Sequence, residues 1–265
     1  MINPLFQRLA LITGESGLDA LDRTRVFVFG LGGVGSWCAE ALARSGVGHL
    51  VLVDSDAVCV TNVNRQVQAT VATVGRAKTE ALRERLLAVN PRCDVDARQE
   101  VFSARTALSF GMGTEDFVVD AIDSLTFKLD LIQTAGEAGA ALFSCMGMAQ
   151  KMDPTQIRVA DIWHTAGCPL ARLVRTGLRK RGFSGGFTAV YSPERLPRHD
   201  EIAVVCGSGL CLCAKKRVPA DTEDAAPTNK EWCSTKKVIN GSAVTVTATA
   251  GMILASLVMG ASLTR

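Results

Sequence analysis

RVFVFGLGGVGSWCAEALARSGVGHLVLVDSD, residues 25–56, reads in order as strand, glycine-rich turn, helix, strand and acid. Val26–Phe29 is a short apolar run, and Gly30-Leu31-Gly32-Gly33-Val34-Gly35 follows it in the G-x-G-x-x-G pattern. The first glycine permits a tight turn, the second lets the backbone approach a phosphate, and the third lets helix and strand pack closely. Trp37–Ser45 continues as a helix whose free N–H groups and dipole favour an anion at its N-terminus. Leu50–Val53 is the second strand, and Asp54 beyond it is placed to hydrogen-bond a ribose. The unit binds a nucleotide; which nucleotide depends on what surrounds it.

Bulk properties narrow the class. A chain of 265 residues, 48% apolar and 21% charged, has room for one large α/β domain or two small ones. The net charge of +3 leaves any nucleic-acid contact to a local patch. Met1–Gly17 lacks a basic start, a continuous apolar core and a cleavage site, so a secretory leader is not expected. Nine cysteines, an odd number scattered through such a chain, point to reduced thiols and a cytoplasmic enzyme. Val238–Thr264 carries no charge and is long enough to span a membrane. Its frequent Thr, Ser, Gly and Asn residues favour instead a core or subunit-interface helix, capped by Ser242 and running to about Val258, with no integral membrane span.

Strand-like and helix-like runs alternate along the first 145 residues. Gly75–Val89 reads as an amphipathic helix ended by Asn90-Pro91, Cys93–Val101 and Asp116–Ile122 as strands, Leu125–Ala138 as a helix and Ala141–Cys145 as a strand. The pattern predicts a Rossmann-like α/β fold: a mostly parallel sheet with helices on both faces and ligands beyond the strands' carboxyl ends. Asp54, Asp120 and Asp123 fall at such ends. The second half reads as a strand over Ile157–Ile162, a basic helix over Pro169–Arg181 and an irregular excursion over Glu201–Thr235. The division expected is a nucleotide-binding core over residues 1–150, with substrate-side elements and a C-terminal helix over 151–265 packed on the same unit.

The loop Asp54–Gln66 (DSDAVCVTNVNRQ) decides the chemistry. Dinucleotide oxidoreductases usually pass from the acid straight into another helix. Here Asn62, Arg65 and Gln66 form a polar cluster, with Lys78 on the next helix. An arginine and a lysine near a phosphate-binding turn suit a triphosphate, whose charge grows as its α-phosphate is attacked. Asp123 is a natural ligand for Mg²⁺ bridging those phosphates.

GxGGVG, DxD with TNxNRQ, the helix-borne Lys78 and DAIDS together resemble the adenylating domain of the ubiquitin-activating-enzyme-like superfamily, over roughly residues 5–150. The resemblance implies that an acyl carboxylate attacks the α-phosphate of ATP to give an acyl adenylate and pyrophosphate. Gly30, Gly32, Gly33 and Gly35 would then floor the nucleotide site, with Asp54 on the ribose and Asn62, Arg65 and Lys78 on phosphates. Asp123 would hold Mg²⁺, and Asp56, Gln66 and Ser124 would complete the site. The resemblance further implies a homodimer in which Arg8 reaches the partner's site, making Arg8, Arg65, Lys78 and Asp123 the catalytic candidates.

A narrower resemblance covers most of the chain. With DPTQI (153–157), VADI (159–162) and PLA (169–171) included, the sequence looks like the tRNA threonylcarbamoyladenosine dehydratase family. That implies ATP-driven activation of the threonyl carboxylate of a modified adenosine in tRNA, followed by cyclisation. A sulfur-relay protein is a further candidate partner and a monovalent cation a further candidate cofactor. Cys168 and the segment Ser144–Gln150 depart from the family pattern, while Asp153 and Gln156 are candidate substrate contacts. Arg172, Arg175, Arg179, Lys180 and Arg181 form a basic run without an intervening acid, suited to an RNA backbone and joined by Lys215-Lys216-Arg217 and Lys236-Lys237.

Cys206, Cys211, Cys213 and Cys233 lack the paired C-x₂-C spacing of zinc sites. That absence and the basic helix weigh against the second reading, adenylation of the C-terminal glycine of a ubiquitin-like sulfur carrier. Arg65 and Lys78, with no hydride-transfer constellation, weigh against an NAD-dependent oxidoreductase. A non-catalytic nucleotide scaffold would have lost Arg65, Lys78 or Asp123, and all three are present.

Overall fold

The computed structural model describes residues 3–196 and 241–265. Among the described residues seven strands form one sheet in the order β3-β2-β1-β4-β5-β7-β6. They are β1 (Arg25–Phe29), β2 (His49–Val53), β3 (Asp94–Arg98), β4 (Phe117–Asp120), β5 (Ala141–Cys145), β6 (Arg158–Asp161) and β7 (Thr188–Tyr191). All neighbours pair in parallel except β6, which runs antiparallel to β7 along Arg158↔Tyr191 to Asp161↔Thr188.

Alternate residues of each strand feed two cores. Val26, Val28, Leu50, Leu52 and Val119 face one side, where α2 (Gly35–Arg44), α3 (Lys78–Val89) and α6 (Val244–Leu263) pack. Phe27, Phe29, Val51, Val53 and Val118 face the other, under α4 (Leu125–Ala138) and α5 (Pro169–Lys180). A sheet covered on both faces produces the near-continuous apolar strands that parallel pairing requires. The strand order turns from β2 to β4 on either side of β1, and this reversal opens a crevice where the carboxyl ends meet.

Several boundaries differ from the sequence reading. The third helix begins at Lys78 rather than Gly75, because Gly75 (φ +91) and the Val58–Arg76 backbone bond belong to the preceding loop. The final helix starts at Val244 with Ala243 at its cap and no side-chain cap bond, so Ser242 does not cap it, and it continues to Leu263. The strand β7 and the N-terminal helix α1 (Gln7–Arg23, broken at Gly14, φ +73) are additions. The excursion 201–235, with Cys206, Cys211, Cys213, Cys233, Lys215, Lys216 and Arg217, lies outside the described residues, as do Lys236 and Lys237.

The helix α6 is long and apolar enough to cross a membrane by length and composition. It lies instead along α2, burying Val246, Ala250, Leu254, Ala255 and Val258. Gly251 makes the approach close: a Cβ there would stand 2.5 Å from the Val34 carbonyl oxygen and 2.9 Å from the Cys38 nitrogen.

Candidate nucleotide site

The glycine turn joins β1 to α2. Gly30 has φ +86, and a side chain on it would press to 2.7 Å from the Ala121 carbonyl. A Cβ on Gly35 would collide with the Gly30 carbonyl oxygen, so both positions exclude larger residues on packing grounds. Gly32 is different: nothing lies within 4 Å of where its Cβ would be, which leaves the backbone open to a ligand. Gly33 packs on Thr247 of α6 and on the Arg65 side chain.

Asp54 fastens this turn to the end of β2. One carboxylate oxygen accepts the Leu31 N–H at 2.7 Å and the other the Asp56 N–H at 2.8 Å. Lys78, the first residue of α3, places Nζ 2.6 Å from Asp56 Oδ2 and 3.6 Å from Asp54 Oδ1. Its side chain is only 7% exposed. Burial works against its charge, but Asp54, Asp56 and Asp123 outweigh that and raise its pKa. Burial also raises the Asp54 carboxyl, against the opposing pull of Lys78. Asp56 Oδ1 is buried and has no hydrogen-bond partner among the described residues.

Arg65 Nη1 donates to the Thr61 carbonyl at 2.7 Å and to Asn64 Oδ1 at 3.1 Å, while its own carbonyl accepts the Trp37 indole N–H. Burial lowers its pKa, and Asp123 acts in the opposite direction. Asp123 itself is exposed, in the turn after β4, within electrostatic reach of both Arg65 and Lys78; Ser124 is the N-cap of α4. Asn62 is buried and its Oδ1 caps the local turn through the Cys59 N–H, while Gln66 is buried beside Gln68. The glycine turn, Asp54, Asp56, Arg65, Lys78 and Asp123 are thus linked by contact or charge beyond the ends of β1, β2 and β4, with Asn62 and Gln66 buried in the intervening loop and Ser124 following Asp123.

Other candidates sit apart from it. Arg8 is exposed near the start of α1. Of the basic run, Arg175 is turned inward, donating to the carbonyl and hydroxyl of Thr165, and Arg181 is paired with Asp130 at 2.7 Å. Arg179 lies over the Trp163 ring, 5.3 Å from its centroid, and Arg172, Arg179 and Lys180 are exposed. Asp153 and Gln156 are engaged with one another in a short turn, Gln156 Nε2 donating at 3.0 Å. In the departing segment Met146 and Met148 are buried and Gln150 takes φ +58.

Two groups escape sequence reasoning. Asn64 bridges Arg65 and the chain entering α6, its Nδ2 donating to the Ser242 carbonyl at 3.0 Å. Lys128 and Asp120 form a fully buried ion pair behind the site, and the only signal for it is a lysine four residues past Ser124, the end of the DAIDS turn.

Among the described residues no group of three metal-ligating side chains exists. A hard cation would therefore take few protein ligands here and draw the rest from phosphates and water, as Mg²⁺ does. Cys38 is pushed up by burial, and Cys93 and Cys145 to about 12, which disfavours a thiolate nucleophile at those positions.

Comparison with known proteins agrees with this geometry. The ThiF family matches residues 6–262. A tRNA threonylcarbamoyladenosine dehydratase of Bacillus subtilis is 38% identical over 223 residues, 84% of this chain and 88% of that protein. The enzyme of the same name from Haemophilus influenzae is 35% identical over 254 residues, covering 94% of this chain and 89% of its own. Among solved structures, the Escherichia coli tRNA N6-threonylcarbamoyladenosine dehydratase in complex with ATP superposes with a TM-score of 0.77. That pair shares 31% identity, over 98% of this chain and 93% of the other.

The ammonium between Asp54 and Asp56 has a measurable signature. Its raised pKa means that the stability it contributes is complete below the ordinary lysine value of 10.5 and is lost only as pH climbs through the folded value. Lys78→Met leaves a buried carboxylate uncompensated and should cost about 3 kcal/mol at about pH 7. Asp54, whose folded pKa is raised, protonates more readily in the fold, so the deficit should shrink toward about pH 5. Urea melts at the two pH values test this, and a deficit independent of pH would refute it.

Proposed function

The chain belongs to the ThiF family, and from that premise we propose that it dehydrates threonylcarbamoyladenosine in tRNA at the expense of ATP. The observation that carries the reading is the crevice where an open glycine turn, a buried lysine, an arginine and an Asp56 oxygen unpaired among the described residues converge at the sheet's switch point. The near full-length likeness to dehydratases, rather than to a nucleotide-binding segment alone, supports the substrate.

The chemistry follows from charge. A threonyl carboxylate oxygen forms a bond to the α-phosphorus of ATP while the bond to pyrophosphate breaks. The threonylcarbamoyl group then closes on its own activated carboxyl and AMP departs with the carboxylate oxygen, so the nucleoside loses the elements of one water. Asp54 and Asp56 accept hydrogen bonds from the nucleoside, and the backbone at Gly32 lies under the phosphates. Lys78 has three donors, and its two carboxylate neighbours leave at least one for a phosphate oxygen. Arg65, held from behind by Thr61 and Asn64, meets the charge that develops on the α-phosphate and pyrophosphate.

Asp54, Asp56 and Asp123 outnumber Lys78 and Arg65, so a polyanion entering this crevice brings a counter-cation. Asp123 is the residue that would hold Mg²⁺, whose contribution is to neutralise phosphate charge. No protein nucleophile is required, because the two reacting groups are already tethered and need only positioning.

Arg172, Arg179 and Lys180 form the exposed basic face that meets the tRNA backbone; Arg175 and Arg181 serve the fold. A tRNA substrate and five described free thiols suit the cytoplasm. A second copy of the chain supplies Arg8. Leu5, Leu11 and Ile12, 59%, 85% and 83% exposed around it, are the apolar surface that a partner would cover.

Incubation with Mg-ATP and tRNA bearing threonylcarbamoyladenosine, followed by nucleoside mass spectrometry, should show ATP-dependent loss of one water from that nucleoside. Lys78→Ala and Asp123→Ala should each abolish it. No mass change, with pyrophosphate exchange only in the presence of a small protein ending in Gly-Gly, would favour the sulfur-carrier reading. Replacing Arg172, Arg179 and Lys180 together by Ala should raise KM for tRNA, leave KM for ATP unchanged and flatten the salt dependence by about one logarithmic unit of slope per lost phosphate contact; an unchanged salt slope would remove the basic face from the tRNA site. Mixing Arg8→Ala with Lys78→Ala protein should restore part of the activity if Arg8 acts across a dimer, and no restoration with normal dimer mass by sedimentation would refute that role.

A further inference from the structure

Behind the crevice, Lys128 and Asp120 are both fully buried and 2.6 Å apart. The ammonium spends all three donors: on Asp120 Oδ2, on Ser144 Oγ at 3.3 Å and on the Cys145 carbonyl at 3.0 Å. Asp120 is equally satisfied. Its Oδ2 also accepts the Ser144 hydroxyl at 2.6 Å, and its Oδ1 accepts the Ile122 N–H at 3.1 Å. Asp120, Lys128 and Ser144 are fully buried, and the reaction proposed above uses none of them.

Their placement connects three segments at the carboxyl ends of β1, β4 and β5. Asp120 ends β4 and, through Ile122, shapes the turn that carries Asp123. Ala121, inside that turn, donates its N–H to Phe29 and presses its carbonyl against Gly30 of the glycine turn. Ser144 and Cys145 end β5 and begin the segment running to Gln150. One lysine, delivered from the first turn of α4, therefore sets the spacing between the Asp123 turn, the glycine turn and the loop after β5.

We propose that Lys128 is a positioning residue for Asp123: with Asp120 and Ser144 it holds the post-β4 turn in register with the glycine turn, so that the Asp123 carboxylate meets a phosphate-bound divalent cation. A buried ion pair is a poor source of net stability compared with apolar groups of similar size, while it imposes geometry on everything bonded to it. Outer groups that orient a metal-binding carboxylate typically alter metal affinity or activity by about 10–100-fold when removed. The proposal rests on the adenylation reading for the identity of the ligand, but its test need not involve tRNA.

The test is calorimetric binding of ATP with Mg²⁺ and of ATP with EDTA, alongside thermal melting. Lys128→Met paired with Asp120→Asn removes both charges, so that no lone buried ion is left. The double variant should weaken Mg-ATP binding by about tenfold or more and leave metal-free ATP binding within about twofold, with a melting profile close to wild type. Ser144→Ala, a milder change, should shift Mg-ATP affinity in the same direction by a smaller factor, and it decides the matter should the double variant fail to fold. Equal losses with and without metal would reduce the network to scaffolding and overturn the proposal, as would wild-type Mg-ATP affinity in a folded variant. If wild-type protein binds Mg-ATP but leaves the modified tRNA unchanged, the dehydratase reading fails while this inference stands.

Discussion

Lys78 and the two carboxylates that enclose it are the interaction on which the nucleotide end of the molecule depends. Asp54 and Asp56 lie on the loop leaving β2, Lys78 opens α3, and Asp54 also reaches back to the Leu31 N–H of the glycine turn. A single buried ammonium thereby couples a strand end, a helix start and the glycine turn. Removing it strands acceptors in a low-dielectric site, where an unpaired charge is costly. Under the proposed function the same arrangement would serve chemistry: an ammonium already surrounded by carboxylates needs little reorganisation when phosphate oxygens approach it.

Much of this frame could be read from residues 25–145. The glycine turn, the acid at position 54 and the regular alternation of apolar runs each carry a local physical signal, and the sheet places β1, β2, β4 and β5 where that signal puts them. Leu125–Ala138 and Ala141–Cys145 agree to the residue, because Gly139 at φ +70 ends the helix abruptly and an apolar run restarts two residues later. The placement of Gly30–Gly35, Asp54, Lys78 and Asp123 was legible for the same reason: they sit at or just beyond strand ends and helix starts, which chain order defines, whereas Asn62, Arg65 and Gln66 lie within the loop between β2 and α3.

What escaped was set by tertiary partners. Thr188–Tyr191 becomes a strand because β5 offers a free edge, which its short run does not declare locally; the strand expected over Ile157–Ile162 then pairs with it antiparallel, an orientation that its own run does not declare. The basic helix looked like one surface of like charge, yet Thr165 and Asp130 each claim one of its arginines. Lys128 resembled any lysine on an amphipathic helix until Asp120 and Ser144 closed around it. In each case the deciding group lies many residues away, where neither propensity nor spacing reaches.

The C-terminal helix shows how the two halves of the chain share one site. Its uncharged composition would pass for a membrane span, but Gly251 lets it approach the α2 backbone, and Thr247 packs against Gly33 of the phosphate turn. Asn64 ties the chain entering this helix to the loop that carries Arg65. Moving α6 into lipid would uncover Val246, Ala250, Leu254 and Val258 together with the α2 face they cover, and would strip support from both the glycine turn and Arg65. Threonines and serines such as Thr245, Thr249 and Ser256, costly in lipid, sit on its less buried side. The helix is apolar because it covers another helix, and the surface it covers begins at the nucleotide crevice.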